Sequence, residues 1–175
     1  MKNKISLKHK ILRIFWQLIW FFFARPFPRR SGNSWKLFLL RCFNAKVSST
    51  SVVYSSAKIY FPWNLEMNKN SCLAPNVDCY NVDKVILEEN VTVSQKSFLC
   101  TASHDIADKN HSLLTKPIII KKNAWVGADA YIGMGVTINE GAVVGARACV
   151  FKDVEPYIVV GGNPAKFLKK RLIND

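Results

Sequence analysis

Histidine is the residue type in this chain best suited to move a proton near neutral pH, because an imidazole titrates close to that range. The chain has three: His9 lies in a basic N-terminal segment, whereas His104 and His111 lie in a polar stretch at 101–117. From residue type and position alone, His104 is either a general base or an ordinary loop histidine. We interpret His111 as an ordinary loop residue.

A metal site is a second possibility, because thiolate and imidazole groups are common zinc ligands and Cys100, His104 and His111 lie close in sequence. Their spacing matches no common ligand pattern, so we predict no metal. Cys100 also raises the alternative of an acyl-cysteine intermediate. A Cys100→Ser variant that kept most of its activity would exclude it.

A six-residue repeat organises the elements that must position these side chains. Aliphatic residues recur without a slip at Ile120, Val126, Ile132, Ile138, Val144 and Val150, usually with a small residue two places before each. Six residues turn an α-helix by about 600°, so this period cannot keep to one helical face. It suits one short strand and one corner of a solenoid, with three hexads closing a triangular coil. Glycine or asparagine after the aliphatic position is expected to accept the unusual backbone angles at each corner.

The same register is predicted upstream, with two interruptions. The predicted inward positions are first Val47, Val53, Ile59, Leu65, Ser71 and Val77, and then, after an offset of ten, Leu87, Val93 and Leu99. The offset predicts a four-residue insertion near Asn81. The second interruption, at 101–117, predicts a loop extruded from the solenoid, a common place for a functional site.

The first 46 residues carry eleven Lys or Arg and no acidic residue. The apolar run 11–24 would extend about 21 Å as a helix, short of the roughly 30 Å hydrocarbon core, so it is not expected to span a membrane. A narrow polar stripe of Lys10, Arg13 and Gln17 opposes an apolar side that contains Phe15, Trp16, Ile19, Trp20 and Phe23. This pattern favours a helix lying in an anionic membrane surface; the alternative is a helix packed on the domain or on a neighbouring subunit.

Composition excludes several classes of protein. A hydrophobic content of 49% in 175 residues excludes a disordered chain and suits one domain with an extension. Five cysteines without a CxxC pair favour a reducing cytoplasm over a disulfide framework. No P-loop or GxGxxG motif is present, which argues against nucleotide hydrolysis. The net charge of +13 favours an anionic partner, but nucleic acid is not expected because the N-terminal aromatic run is too apolar to stay solvated.

The run VGADAYIGMGVTINEGAVVGARACV at 126–150 resembles the hexapeptide-repeat acyltransferases. The segments CTASHD and GGNPAKFLKKR are similar to the same family, and the resemblance covers about 47–171. LLRCFNAKV, YFPWNLEM and SHD followed by LLTKPIII are similar to its colanic acid biosynthesis branch. The resemblance implies an all-β, left-handed parallel β-helix and a homotrimer.

The sequence divides into three predicted parts. We expect a basic helical extension at 1–46 and the β-helix at 47–160, with its loop at 101–117. A tail at 161–175 begins with the turn signal of Gly161 to Pro164. A short basic helix is expected to follow that turn.

The resemblance also implies transfer of an acetyl group from acetyl-CoA, with His104 at the position of the catalytic base. Asp105 is grouped with the acceptor-binding residues, and either orients the imidazole or hydrogen-bonds within the loop. Asn76 and Asn81 are alternatives for the asparagine that contacts the acceptor.

For coenzyme A, the resemblance places the pantetheine arm along backbone atoms of Ala128 and Ala146. The outer part of the cofactor and its phosphates are assigned to Phe151, Lys152, Lys166 and Lys169. Lys166 stands where related enzymes often have arginine, which replaces a bidentate phosphate contact with a point charge. Trp125 is expected to shield the thioester from water or to pack in a subunit interface.

Together these expectations describe an acetyl-CoA-dependent O-acetyltransferase of exopolysaccharide, capsule or O-antigen synthesis. Its acceptor would be a nucleotide- or lipid-linked sugar, and its active sites would lie between subunits. The enzyme would be peripheral on the inner face of the cell membrane. The alternatives are an amine acceptor, another acyl donor, or a noncatalytic membrane-associated scaffold.

Overall fold

A computed structural model describes residues 5–27 and 32–173. Two helices precede a solenoid of short strands. Helix α1 (Leu7–Ile19) continues into a π-helical turn (Trp20–Ala24), and α2 (Asn33–Cys42) follows. None of the described helices combines the length and apolar character needed to cross a bilayer.

The strands form successive three-sided coils. The first coil contains β1 (Lys46–Val47), β2 (Val52–Val53) and β3 (Lys58–Ile59). A 3₁₀ turn (Pro62–Asn64) leads to the second coil, which contains β4 (Leu65–Met67), β5 (Cys72–Leu73) and β6 (Asp78–Tyr80). The third contains β7 (Val85–Leu87), β8 (Thr92–Val93) and β9 (Phe98–Cys100).

A hairpin of β10 (Ala102–His104) and β11 (Leu113–Thr115) then leaves the solenoid. The fourth coil contains β12 (Ile118–Ile120), β13 (Trp125–Val126) and β14 (Tyr131–Ile132). The fifth contains β15 (Thr137–Ile138), β16 (Val143–Val144) and β17 (Cys149–Val150). The chain ends in β18 (Ile158–Gly161) and β19 (Lys166–Lys170).

Three parallel sheets form the sides of the prism. The first has the order β1-β4-β7-β12-β15, the second β2-β5-β8-β13-β16-β18, and the third β3-β6-β9-β14-β17. Strand β12 pairs directly with β7, so the hairpin leaves the solenoid without breaking the stack. The predicted solenoid and its extruded loop are both confirmed.

The core runs without a break from the helices through the coils. Its inward side chains stack from coil to coil, and Leu73, Val93, Val126 and Val144 are all 0% exposed. Truncation of a leucine in such a position to alanine typically costs about 2–5 kcal/mol.

The upstream register differs from the predicted one. Ile59 and Met67, which follow one another as inward strand residues, are eight positions apart, and so are Cys79 and Leu87. Two insertions of two residues, one at Pro62–Asn64 and one near residue 81, replace the single predicted insertion of four. The other predicted members are also buried, but each lies two places before the residue that stacks at the next inward position. They are Leu65, Ser71 and Val77, which precede Met67, Leu73 and Cys79. Because both inward positions of a hexad are buried, the sequence period alone does not separate them.

The glycines that directly follow the inward aliphatic residues differ from their predicted role, whereas Gly135, Gly141 and Asn123 do adopt the left-handed angle expected at a corner. A β-carbon on Gly127 would lie 2.7 Å from the amide nitrogen of Ala146, so the close approach of the next coil excludes any side chain. The left-handed backbone angles occur two positions further on, with φ of 58° at Asp129 and 59° at Arg147. Gly127 is therefore required for space, and the corner angle is adopted by other residues.

The prediction of a short C-terminal helix is wrong, because strand β19 forms in its place. Lys166–Lys170 pairs antiparallel with β18, because the last parallel strand of the second sheet offers an unpaired edge. The Arg171 guanidinium then donates to the carbonyl oxygens of Asn123 and Gly141, both at 2.9 Å. Local composition predicts neither contact.

Helix α1 packs on the first coil through two indole rings. The Trp16 Nε1 donates to the Ile59 carbonyl oxygen at 2.8 Å, and the Trp20 Nε1 lies 3.1 Å from the Ala57 carbonyl oxygen. Trp16 is 1% exposed and Trp20 is 6% exposed. This side of the helix therefore packs on the solenoid, which is the alternative to a membrane contact.

The opposite side of α1 and the π-helical turn is apolar and exposed. Six side chains with heptad-like spacing are 51–73% exposed: Leu7, Ile11, Ile14, Leu18, Phe21 and Phe22. We name these six residues the outer apolar stripe. The sequence predicts one apolar face on this helix, whereas the structure has two, one buried on the coil and one exposed. Phe15 and Phe23 do not lie on the buried face.

Candidate active site

His104 ends β10, in the hairpin that projects from the corner between the third and first sheets. It is paired across the hairpin with Leu113, and its side chain is exposed. The continuous strand stack on either side of the hairpin fixes the base from which it projects. The hairpin therefore holds the imidazole at the surface of the chain.

The tautomer of His104 follows from one contact. Its Nδ1 lies 2.6 Å from the carbonyl oxygen of His111. A carbonyl oxygen only accepts, so Nδ1 carries the proton and donates it. In the neutral ring the lone pair is then on Nε2, which is the arrangement of a general base.

The tip of the hairpin is held by Asp108. Its carboxylate accepts hydrogen bonds from the Asn110 amide, at 3.0 Å, and from the Ser112 hydroxyl. The amide of His111 donates to the Asp108 carbonyl oxygen at 2.8 Å, and His111 has a left-handed φ of 46°. These contacts fix the carbonyl group that orients His104.

Asp105 bonds within the loop. Its carboxylate accepts from the Ala107 amide at 3.0 Å, and its own amide donates to the Ser112 carbonyl oxygen at 2.9 Å. This is one of the two roles expected from the sequence. Contact between Asp105 and an acceptor stays a prediction.

Within residues 5–27 and 32–173, no cluster of three or more His, Cys, Asp or Glu side chains is arranged to hold a metal ion. Cys100 is 8% exposed, and its thiol donates to the Ala102 carbonyl oxygen at 3.2 Å. The exposed His104 and the buried Cys100 thus occupy different environments.

A cavity of about 300 Å³ at the C-terminal end brings together three of the predicted CoA-binding residues, Phe151, Lys152 and Lys166. An exposed aromatic ring beside two ammonium groups suits a flat base and anionic phosphates. Lys169 lies on β19 and is exposed, but it does not line this cavity.

Ala128 and Ala146 stack at the corner between the second and third sheets, where the Arg147 amide donates to the Ala128 carbonyl oxygen at 2.8 Å. In the described part of the chain, neither alanine amide has a backbone acceptor. Both N–H groups are therefore available to the amides of a pantetheine arm. Asn76 is exposed on the same corner, two coils earlier, and its contact with an acceptor stays a prediction.

Trp125 lies on the outer face of β13 and is 49% exposed. Its Nε1 donates to the Ser94 hydroxyl oxygen at 2.8 Å, which fixes the orientation of the indole. A half-exposed, anchored ring is compatible with either expected role.

Asn81 is not an acceptor-binding residue, which corrects the sequence prediction. It is 0% exposed. Its side-chain oxygen accepts from the amides of Tyr60 and Phe61, at 3.1 and 2.9 Å, and its NH₂ group donates to the Phe61 carbonyl oxygen at 2.6 Å. The buried side chain holds the preceding corner through both its oxygen and its NH₂ group.

Sequence reasoning missed two residues of the site, His111 and Ser94. The carbonyl of His111 acts through the backbone, and a backbone group leaves no residue-type signal. Asp105 and Asp108 did carry a signal, because aspartate commonly accepts from the amide two residues on, as both do here.

No protein-family profile matches the chain. The chain is 38% identical over 138 residues to a protein of Escherichia coli (strain K12) named as the colanic acid biosynthesis acetyltransferase WcaF, covering 79% of this chain and 76% of that protein. It is 34% identical over 125 residues to the galactoside O-acetyltransferase of the same strain, covering 67% and 59% of the two chains.

Solved structures share the fold. A hexapeptide-repeat-containing acetyltransferase of Vibrio cholerae O1 biovar eltor, complexed with acetyl-CoA, has a TM-score of 0.81 at 23% identity and covers 98% of this chain and 93% of that chain. A galactoside acetyltransferase in complex with coenzyme A has a TM-score of 0.78 at 20% identity, with coverage of 96% and 84%. With the first relative similar over most of its length, the chain belongs to the hexapeptide-repeat acetyltransferases, left-handed β-helix enzymes that use acetyl-CoA.

Proposed function

We propose that this enzyme transfers the acetyl group of acetyl-CoA to a sugar hydroxyl, with His104 as the general base, in exopolysaccharide, capsule or O-antigen synthesis. The 2.6 Å contact between His104 Nδ1 and the His111 carbonyl oxygen carries the proposal, because it leaves Nε2 of an exposed imidazole as the proton acceptor. Similarity to proteins named for colanic acid synthesis and for galactoside O-acetylation supports a sugar acceptor.

In this reaction, Nε2 of His104 takes the hydroxyl proton while the hydroxyl oxygen attacks the thioester carbon. The hydrogen bond from Nδ1 to the His111 carbonyl oxygen stabilises the imidazolium that forms. The tetrahedral oxyanion then collapses, the C–S bond breaks, and the CoA thiolate leaves and takes up a proton. No covalent enzyme intermediate is needed, and the buried position of Cys100 argues against an acyl-cysteine.

Acetyl-CoA fits the C-terminal coils. The free amides of Ala128 and Ala146 suit the pantetheine arm, and Lys152 and Lys166 suit the phosphates. Lys169 lies outside the cavity, on the exposed strand β19, and we assign it to the phosphates by its charge alone.

The active site is proposed to form between subunits of a homotrimer. In one chain, His104 projects from the corner between the third and first sheets, whereas Ala128 and Ala146 lie at the corner between the second and third. Two corners of one prism point in different directions. This separation supports a site in which the hairpin of one subunit meets the alanine corner of its neighbour.

Peripheral binding to the inner face of the cell membrane completes the proposal. The outer apolar stripe supplies an exposed apolar surface, and the first 46 residues supply eleven cationic residues without an acidic one. This combination is typical of helices that lie in an anionic interface.

The decisive test is acceptor-dependent release of the CoA thiol by wild type and His104→Ala, with nucleotide-linked sugars, lipid-linked sugars and amines as acceptors. We expect release with at least one sugar, and a loss of about 10²–10⁴-fold in the variant. Equal release by the variant would remove His104 from the mechanism. Release with amines alone would favour the N-acetylation alternative.

A further inference from the structure

A second cavity, of about 180 Å³, lies against the hairpin that carries His104. It is enclosed by the start of α1, the turn after β3 and strand β11. The residues that matter are His9 on the helix, Trp63 and Asn64 on the turn, and Leu113 and Thr115 on the hairpin.

The cavity lies on the face of the hairpin that carries the imidazole. Leu113 is the direct cross-strand partner of His104, and directly paired residues of antiparallel strands place their side chains on the same face. Thr115, two positions further on, lies on that face as well. Since both Leu113 and Thr115 line the cavity, it adjoins the side of the hairpin where proton transfer takes place.

Trp63, Phe61 and His9 form an aromatic wall of the cavity. The ring centroid of Trp63 lies 4.8 Å from that of Phe61 and 5.4 Å from that of His9, and the latter two are 6.2 Å apart. Rings stacked on opposite faces of one indole would be separated by at least about 7 Å, twice a contact of roughly 3.5 Å. Phe61 and His9 therefore lie to one side of the indole, and all three rings line the cavity.

Polar groups with unused hydrogen-bonding capacity flank this wall. The Asn64 Nδ2 donates to the carbonyl oxygens of Asn81 and Val82, at 3.2 and 2.8 Å, which fixes the amide and leaves its Oδ1 as an acceptor. The His9 imidazole has no hydrogen-bond partner in the described part of the chain. A flat apolar surface beside an acceptor and an imidazole suits a sugar ring, which has a C–H face and hydroxyl groups at its edge.

We propose that this cavity binds one sugar ring of the acceptor, next to the hydroxyl group that is acetylated. The inference rests on the proposed function and deepens it, because it makes the N-terminal helix part of the acceptor site through His9. The cavity is smaller than the roughly 300–1,000 Å³ of sites for drug-sized ligands, so it accommodates a single ring.

The test uses the full chain, acetyl-CoA and the p-nitrophenyl glycosides of glucose, galactose, mannose and fucose. KM for the glycoside and KM for acetyl-CoA are measured in wild type, Trp63→Ala and His9→Ala. Lys8→Ala is the matched control, because Lys8 is exposed on the same helix and does not line the cavity. We expect Trp63→Ala to raise the glycoside KM by roughly 3- to 10-fold, with the acetyl-CoA KM unchanged.

His9→Ala is expected to raise the glycoside KM about twofold or more, and it carries the test if Trp63→Ala fails to fold, since His9 lies on an exposed helix face. An unchanged glycoside KM in folded variants, with transfer still dependent on His104, would overturn the sugar subsite and leave the proposed function intact. If neither these glycosides nor the nucleotide-linked and lipid-linked sugars support transfer, the proposed function fails. Saturation-transfer NMR with the same glycosides then decides the subsite alone, and no signal from wild type would overturn it.

Discussion

The Nδ1 of His104 and the carbonyl oxygen of His111 lie 2.6 Å apart across the tip of one hairpin. The direction of the imidazole therefore depends on the shape of the tip, which the contact between Asp108 and Ser112 helps to hold. Residues outside the reacting groups thus set the orientation of the imidazole that we propose as the general base.

Ser112→Ala should lower kcat while the KM for acetyl-CoA stays unchanged. The substitution removes the hydroxyl donor to Asp108, so the turn that places the His111 carbonyl loosens. A displacement of about 1 Å can cost up to about 100-fold in rate. Steady-state kinetics would measure the change, with the exposed tip variant Lys109→Ala as control. An unchanged kcat in Ser112→Ala would show that the hairpin keeps its shape without this contact.

Gly127→Ala should destabilise the coil. The new β-carbon would lie 2.7 Å from the Ala146 amide nitrogen, so the backbone must shift, at a cost of about 1–3 kcal/mol in the free energy of unfolding. Urea denaturation at fixed protein concentration measures this quantity. Gly145→Ala is the comparison variant. Its new β-carbon would lie 3.1 Å from its nearest neighbour, the Val160 carbonyl oxygen, so its free energy of unfolding should fall by less. Equal losses would argue against contact distance as the cause.

Asn81→Ala should reduce stability by about 2–5 kcal/mol, because the amides of Tyr60 and Phe61 lose a buried acceptor. The remaining folded enzyme should keep its KM for the acceptor. Thermal melting and kinetics would be compared with those of Asn68→Ala, at an exposed position of the coil. A raised acceptor KM without a loss of stability would restore Asn81 as a binding residue.

Leu18→Ser combined with Phe22→Ser should weaken binding to vesicles of phosphatidylglycerol and phosphatidylethanolamine by at least about tenfold, because two exposed members of the outer apolar stripe are lost. Flotation would measure the bound fraction, and salt should reduce it for both proteins. Ile106→Ser, at a 94% exposed apolar residue outside the stripe, is the control. Equal flotation of all three proteins would place the membrane contact elsewhere.

Cys79 should resist alkylation at pH 8. Burial and the nearby Asp78 carboxylate raise the pKa of its thiol, so its thiolate fraction at that pH is smaller than that of an ordinary cysteine. Iodoacetamide labelling followed by mass spectrometry should modify the exposed Cys42 first. In urea both cysteines should react, and rapid labelling of Cys79 in the native protein would contradict its burial.

The later coils could be predicted from sequence because their hexads contain no insertion, so Ile120 to Val150 keep one register. Upstream, the chain has two insertions of two residues. A strict six-residue count across them still falls on apolar or small residues, so the count does not reveal the insertions. Leu65 and Met67 are both buried, and only strand pairing shows which one stacks with Leu87.

The sequence points to candidate site residues where a side chain could carry the chemistry, as with His104, and where a motif marks the proposed CoA end, as with Lys166. The His111 carbonyl and the free amides of Ala128 and Ala146 are backbone groups, whose geometry depends on neighbouring coils. Asn81 was misassigned because a buried asparagine and a ligand-binding asparagine look alike in sequence.

Both ends of the coil are closed, the first by α1 and α2 and the last by β19. An open solenoid end is a row of unpaired strand groups on which another copy could stack, and repetition of that contact would build a fibre. At the C-terminal end, the outermost strand is antiparallel and carries Lys166, Lys169 and Lys170, so two such edges repel one another. Both features oppose growth along the axis and leave the flanks of the prism as the surfaces for association.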